Sequence, residues 1–253
     1  MENKAVCVIV PDVHGRTFWK DIFEFDCNVV FLGDYVDPYD FEKISKNKAI
    51  ENFKEILDYA KSHDNVELLL GNHDCEYFIG TDICECRCDY KNFDTIRELF
   101  LENSDRFSFA VKKNFSGKDF LLSHAGVHPF WLKNHSALDI DFICNVKKDD
   151  SVVGLSDFDK FSSALADVSS YRGGWSPAGS VVWSDIREYI KNDRYDIDWS
   201  KEKYEQICGH TYLKDQAIRT GKITCVDLRK IIVVNENGEL CNKDFSPLEI
   251  FEL

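Results

Sequence analysis

Five times along these 253 residues an apolar, strand-like run stops, and each time ligand-type side chains follow beside a glycine. The five ends are "PDVHG" with Asp12 and His14, "GDYVD" with Asp34 and Asp37, "GNHD" with Asn72, His73 and Asp74, "SHAG" with His124, and "GHT" with His210. In α/β proteins, ligands bind beyond the carboxyl ends of the strands. Glycine beside each group removes side-chain bulk and lets the backbone turn sharply. A fold that lays these strands next to one another brings their ends to one point.

The rest of the chain supplies such a fold. "AVCVIV", "NVVFLGD" and "VELLLGNHD" are short apolar runs suited to strands buried on both faces. Between them, Phe18, Trp19, Ile22 and Phe23 recur at helical spacing within residues 16–26. Ile50, Phe53, Leu57 and Ala60 do the same between about residues 44 and 62, with charges on the opposite face. Strands alternating with helices predict a parallel sheet with covering helices. "RFSFAVKKNFSGKDFLLSHAG" reads as a hairpin about the turn "NFSG". "YEQICGHT", "KITCVDL" and "KIIVVNENGEL" add strands near the C-terminus, the last turning at Asn237-Gly238, so the second half is expected to be more antiparallel. The expected architecture is an α/β fold: a four-layer α/β/β/α sandwich of two mixed β-sheets flanked by helices. One domain over residues 1–253 is expected, with a peripheral helical excursion around 134–170 and a solvated surface segment at 191–203.

Composition excludes several classes. A hydrophobic share of 44%, with 19 phenylalanines, supports a sizeable core and argues against disorder. The formal net charge of −14, with no long Lys/Arg run, argues against binding a nucleic-acid duplex. No stretch approaches the ~18 apolar residues of a membrane span. "MENKAVCVIV" lacks a basic leader and a small-residue cleavage site. The protein is therefore expected to be cytoplasmic, with its ten cysteines mostly reduced.

Asp and His together, with an amide oxygen, suit borderline divalent metals such as manganese, iron, zinc, cobalt or nickel. Asp12, His14, Asp34, Asn72, His124 and His210 make six candidate donors, too many for one four-coordinate ion. A bridging carboxylate would let them serve two ions roughly 3.5–4 Å apart. In "DVH", positions i and i+2 point the same way on a pleated chain. Taken singly the pieces are weak: "GNHD" by itself suits an ordinary turn, and "GHT" carries little. Their order and common placement carry the inference.

That order, D-x-H, G-D-x-x-D, G-N-H-D, H and G-H, resembles the calcineurin-like metallophosphoesterases over residues 12–211. "GDYVD", "HAGVHP" and "VWSDI" look most similar to the branch that holds serine/threonine protein phosphatases and diadenosine tetraphosphatases. The resemblance implies that Asp12 and His14 hold a first metal, that Asp34 bridges, and that Asn72, His124 and His210 hold a second. It places His73 beside the phosphate as a catalytic acid rather than a ligand, with Asp37 orienting its imidazole. The implied function is a di-metal phosphoesterase acting on a phosphomonoester or short phosphoanhydride. A metal-bridging hydroxide would attack phosphorus directly, with no covalent enzyme intermediate. Implied substrates are a phosphoprotein, a dinucleoside polyphosphate or a small metabolite.

The chain also departs from the pattern. Protein phosphatases of that branch read "GDxxDRG", whereas Pro38-Tyr39 follows Asp37 here, so the phosphate-gripping arginine is missing. Arg16, after "DVHG", and Arg172, in "YRGGWSPAGS", are the candidate replacements. Tyr212 stands where many relatives have a second histidine after Gly-His, leaving the first metal fewer ligands. Cys75, Cys84, Cys86 and Cys88 could hold zinc, but C-x-C-x-C spacing is poor for it, and reduced thiols near the pocket are the favoured reading. The alternative function is a non-catalytic binding or scaffold protein that keeps the fold; the complete set of six donors with His73 weighs against it.

Overall fold

The computed structural model describes residues 4–80, 86–146, 157–190 and 196–253, with the side chain of Asp157 left aside. Twelve strands appear in these segments: β1 Ala5–Val10, β2 Asn28–Phe31, β3 Val66–Leu69, β4 Phe107–Ser108, β5 Ala110–Phe115, β6 Lys118–Ser123, β7 Glu205–Cys208, β8 Ala217–Thr220, β9 Ile223–Cys225, β10 Ile232–Asn235, β11 Leu240–Cys241 and β12 Ile250–Glu252. Helices are α1 Lys46–Ser62, α2 Asn72–Ile79, α3 Phe93–Glu102, α4 Pro129–Asn134, α5 Ile140–Asn145 and α6 Asp157–Leu165. The strands form two mixed six-stranded sheets, in the orders β11-β10-β1-β2-β3-β4 and β12-β8-β9-β7-β6-β5, flanked by helices as expected.

Alternation along the strands explains why they read as unbroken apolar runs. In β1, Cys7 and Ile9 join one core while Val8 and Val10 join the other. Val30 and Leu32 separate from Val29 and Phe31 in the same way, as do Ile232 and Val234 from Ile231 and Val233. The core that takes Cys7 and Ile9 also holds Leu122, Ile207 and Cys225 of the second sheet, so it lies between the sheets. The other face of the first sheet meets Phe53, Ile56 and Leu57 of α1. These three strands are thus covered on both sides, and each needs apolar side chains at successive positions.

The first sheet runs parallel from β1 through β4, and β10 and β11 extend it antiparallel. The second is less antiparallel than the sequence suggested: β6, β7 and β9 are parallel neighbours, because long connections return the chain to the same edge. The expected hairpin also divides. Phe107–Ser108 pairs with β3, and only Ala110–Phe115 pairs with β6, so the chain changes sheets at the buried Phe109. The turn Ser116-Gly117 has positive φ at both residues, the geometry that fits a two-residue hairpin.

Ser45 caps α1 by accepting the Lys48 amide. Residues 18–24 form a 3₁₀ helix that buries Trp19 and Ile22, the i, i+3 pair such a helix aligns. In the 134–170 region, Ile143, Phe161 and Leu165 are fully buried against the first core; residues 147–156 lie outside the described segments. So does part of the expected surface segment at 191–203. No helix among the described residues is long and apolar enough to cross a membrane.

Candidate metal centre

The ends of β1, β2, β3, β6 and β7 meet on one side of the two sheets. The Gly209 amide donates to the His124 carbonyl (2.7 Å), joining the ends of β7 and β6. The His14 amide donates to the Asp34 carbonyl (2.6 Å), joining β1 to β2. A Cβ built on Gly71 would stand 2.2 Å from Asp34 Oδ1, and one on Gly209 would stand 2.4 Å from Asp12 Oδ1. Only glycine leaves the carboxylates that space.

Two groups of donors result, His14 with Asp34 and His73, and Asp34 with His124 and His210; within each, the ligand atoms lie within 4.8 Å of one another. Asp34 belongs to both. Asn72 joins through Oδ1, 3.0 Å from His124 Nε2. Asp12 stands beside these groups, its Oδ1 accepting the His210 amide (2.9 Å) and lying 3.9 Å from His124 Nδ1. Among the described residues, neither group contains a cysteine; Cys84 lies outside them.

The donor set has the chemistry a cation needs. His14 Nδ1 donates to the Val36 carbonyl (3.0 Å), which leaves the Nε2 lone pair 3.4 Å from Asp34 Oδ2. Burial pushes the His14 imidazole down to about 3, so it is neutral and its lone pair faces a carboxylate. His124 repeats the design. Its Nδ1 donates to the Leu32 carbonyl (2.9 Å), and Nε2 turns to Asn72 Oδ1 and to His210 Nδ1, the latter at 3.0 Å. A backbone carbonyl that fixes the tautomer in this way is the usual support of a metal-binding histidine. Burial also drives His210 well below its ordinary value, with the Arg172 charge adding to it, and its Nε2 has no hydrogen-bond partner among the described residues. Burial raises the Asp12 carboxyl, whereas at Asp34 the effect of burial is outweighed by His124, His73 and His14, and the carboxyl falls. Crowded lone pairs and a shared carboxylate fit divalent cations, with Asp12, His14, Asp34, Asn72, His124 and His210 available to hold them.

His73 lies in the first turn of α2, and its backbone N–H donates to Asp34 Oδ1 (3.0 Å). Its Nδ1 is shared between Asp37 Oδ2 (3.2 Å) and the Arg87 carbonyl (2.9 Å), leaving Nε2 for the centre. Burial lowers the imidazole, but the Asp34 charge and the Asp37 carboxylate outweigh it and raise the value above 6.5. Asp37 is itself held by the Tyr77 hydroxyl (2.8 Å), which accepts the Asp89 amide (2.7 Å).

Four of these residues carry left-handed backbone: His14 at φ +44°, Asp34 at +54°, Asp37 at +58° and His210 at +64°. Such conformations cost of order 1–3 kcal/mol each in a non-glycine residue and cluster at functional sites.

Arg16 and Arg172 stand on the backbone of the donors. Arg16 Nη1 donates to the Asp12 carbonyl (3.1 Å) and Nε to Glu42 (2.9 Å), while Nη2 has no hydrogen-bond partner among the described residues. Arg172 Nη2 donates to the His210 carbonyl (3.3 Å) and Thr211 Oγ1 (2.5 Å). Its Nε lies 2.7 Å from a carboxylate oxygen of Asp185, the aspartate of "WSD", which also binds Arg187.

Sequence reading gave no role to Asp74, Tyr77, Tyr39 or Arg87. Asp74 is fully buried and accepts the amides of Gly71 (2.8 Å), Asp34 (2.6 Å) and Tyr35 (3.0 Å), locking the second strand end to the third. Its place in "GNHD" was the only signal for it. The ring of Tyr39 stands edge-on to His14, with centroids 5.0 Å apart, and Arg87 lies over it at 3.7 Å. A family model described as calcineurin-like phosphoesterase matches residues 8–214, and this chain belongs to that family of metal-dependent phosphoester hydrolases.

Proposed function

We propose that the protein is a two-metal phosphoesterase that hydrolyses a phosphomonoester or a short phosphoanhydride, with water attacking phosphorus directly. Its motifs look most similar to the branch of serine/threonine protein phosphatases and diadenosine tetraphosphatases, so the substrate is a phosphoprotein, a dinucleoside polyphosphate or a small phosphorylated metabolite. The observation that carries the reading is the pair of donor groups sharing Asp34. Two divalent cations, manganese foremost, would be held by Asp12, His14 and Asp34 on one side and by Asp34, Asn72, His124 and His210 on the other. When bound, they supply the charge that acidifies a water and offsets the phosphoryl oxygens.

The remaining work falls to the chain. His73 holds a proton at Nε2 and delivers it to the leaving-group oxygen, while Asp37 and the Arg87 carbonyl fix the ring through Nδ1. The raised value of His73 favours the protonated ring that this role needs. Arg16 and Arg172 flank the centre and supply phosphate contacts. Free thiols at the described cysteines accord with a cytoplasmic setting.

Hydrolysis of para-nitrophenyl phosphate by manganese-supplemented protein tests the reading. Asp34→Asn is expected to abolish turnover, and His73→Ala to slow it by about 10²–10⁴-fold. Turnover unchanged by Asp34→Asn, or none by the wild type with any divalent metal, defeats it.

A further inference from the structure

Next to the centre, three guanidiniums surround one ring. Arg87 lies 3.7 Å from the Tyr39 centroid, Arg16 at 5.7 Å and Arg229 at 5.8 Å. Arg229 also covers the half-exposed Tyr212 at 3.9 Å. Since Tyr39 is in edge contact with His14, this cluster begins one ring away from a metal donor.

Charge makes the cluster unusual. The chain has 45 acidic and 31 basic residues, so its arginines would ordinarily find carboxylates. Here Arg16 and Arg229 share a single oxygen, Glu42 Oε1, at 2.9 and 2.8 Å. Among the described residues Arg87 has no ion pair, and its guanidinium donates only to the Pro38 carbonyl, at 3.4 Å. Among the described residues, the ion pairs of these three guanidiniums thus run to one carboxylate, Glu42. Stacking on Tyr39 and Tyr212 holds the two outer guanidinium planes in place, which lowers the entropy lost when they bind oxygen atoms in pairs. Arg87 is exposed, and its own carbonyl fixes His73, so a ligand on this side chain lies beside the reacting group.

We propose that Arg87, with Arg229 across Tyr39, forms a subsite for a second anionic group of the substrate, beyond the phosphate that is cleaved. The substrate class is then a compact polyanion, a phosphate ester or anhydride bearing another phosphate, rather than a monophosphate with an uncharged leaving group. This inference rests on the reading of the Asp34-centred site as a phosphoester site.

Binding of two inert probes, methylphosphonate and methylenediphosphonate, is measured by calorimetry with manganese present. Arg87→Ala is expected to weaken methylenediphosphonate about tenfold and to change methylphosphonate by less than about twofold. Arg87→Lys, which keeps the charge and leaves the segment in place, should recover part of the loss, and circular dichroism checks that both variants fold. Equal losses for both probes, or none for methylenediphosphonate, overturn the subsite while the phosphoesterase reading stands. Failure of wild-type protein to bind either probe overturns both.

Discussion

At the scale of single residues, the centre is built by pairing the side chains of Asp12, His14, Asp34 and His124 with backbone groups. Asp74 shows how much rests on one carboxylate, since both of its oxygens accept main-chain N–H groups from two strand ends. Asp74→Asn replaces one oxygen by an NH₂ that must face an amide donor in a fully buried position. It is expected to cost about 1–3 kcal/mol, read as a lower urea midpoint, and to reduce turnover by disturbing Asp34. A variant as stable as the wild type would show that Asp74 does not hold the turn. Legibility in the sequence divides at this scale. The six candidate donors could be picked out because each stands where an apolar run stops. Tyr77 and Arg87 could not, since each acts on a residue of another element, Asp37 or Tyr39, that only the fold brings near.

At the scale of elements, strands buried on both faces announced themselves as apolar runs, and α1 by its period. The short strands β4, β8 and β12 lack room for a pattern, and α2 was hidden because Gly71, Asn72 and Asp74 are also turn formers. Helix α4 carries a pH-sensitive feature away from the metal centre. His128 is fully buried and caps α4 by accepting the Phe130 amide at Nδ1 (3.1 Å), and burial pushes its value down to about 4. The unfolded chain binds a proton near pH 6.5 and the folded chain does not, so stability falls as pH drops from about 6.5 towards 4. His128→Asn keeps a capping oxygen and removes the titration. Urea unfolding at pH 6.5 and 5.0 is expected to show a stability loss about 1.6 kcal/mol smaller in the variant than in the wild type. Equal losses would refute the assignment.

At the scale of the whole molecule, the donors tie both sheets together, so binding there is coupled to folding. Adding manganese to chelator-treated protein, at a hundredfold excess over its dissociation constant, is expected to raise stability by about 2.7 kcal/mol, with the gain lost in Asp34→Asn. A thermal midpoint that ignores the metal would contradict the coupling. The same arrangement bears on synthesis. The Asp12 carboxylate meets the amide of a residue 198 positions later. In a nascent chain emerging from the ribosome, the set of candidate donors therefore stays incomplete until His210 has been translated.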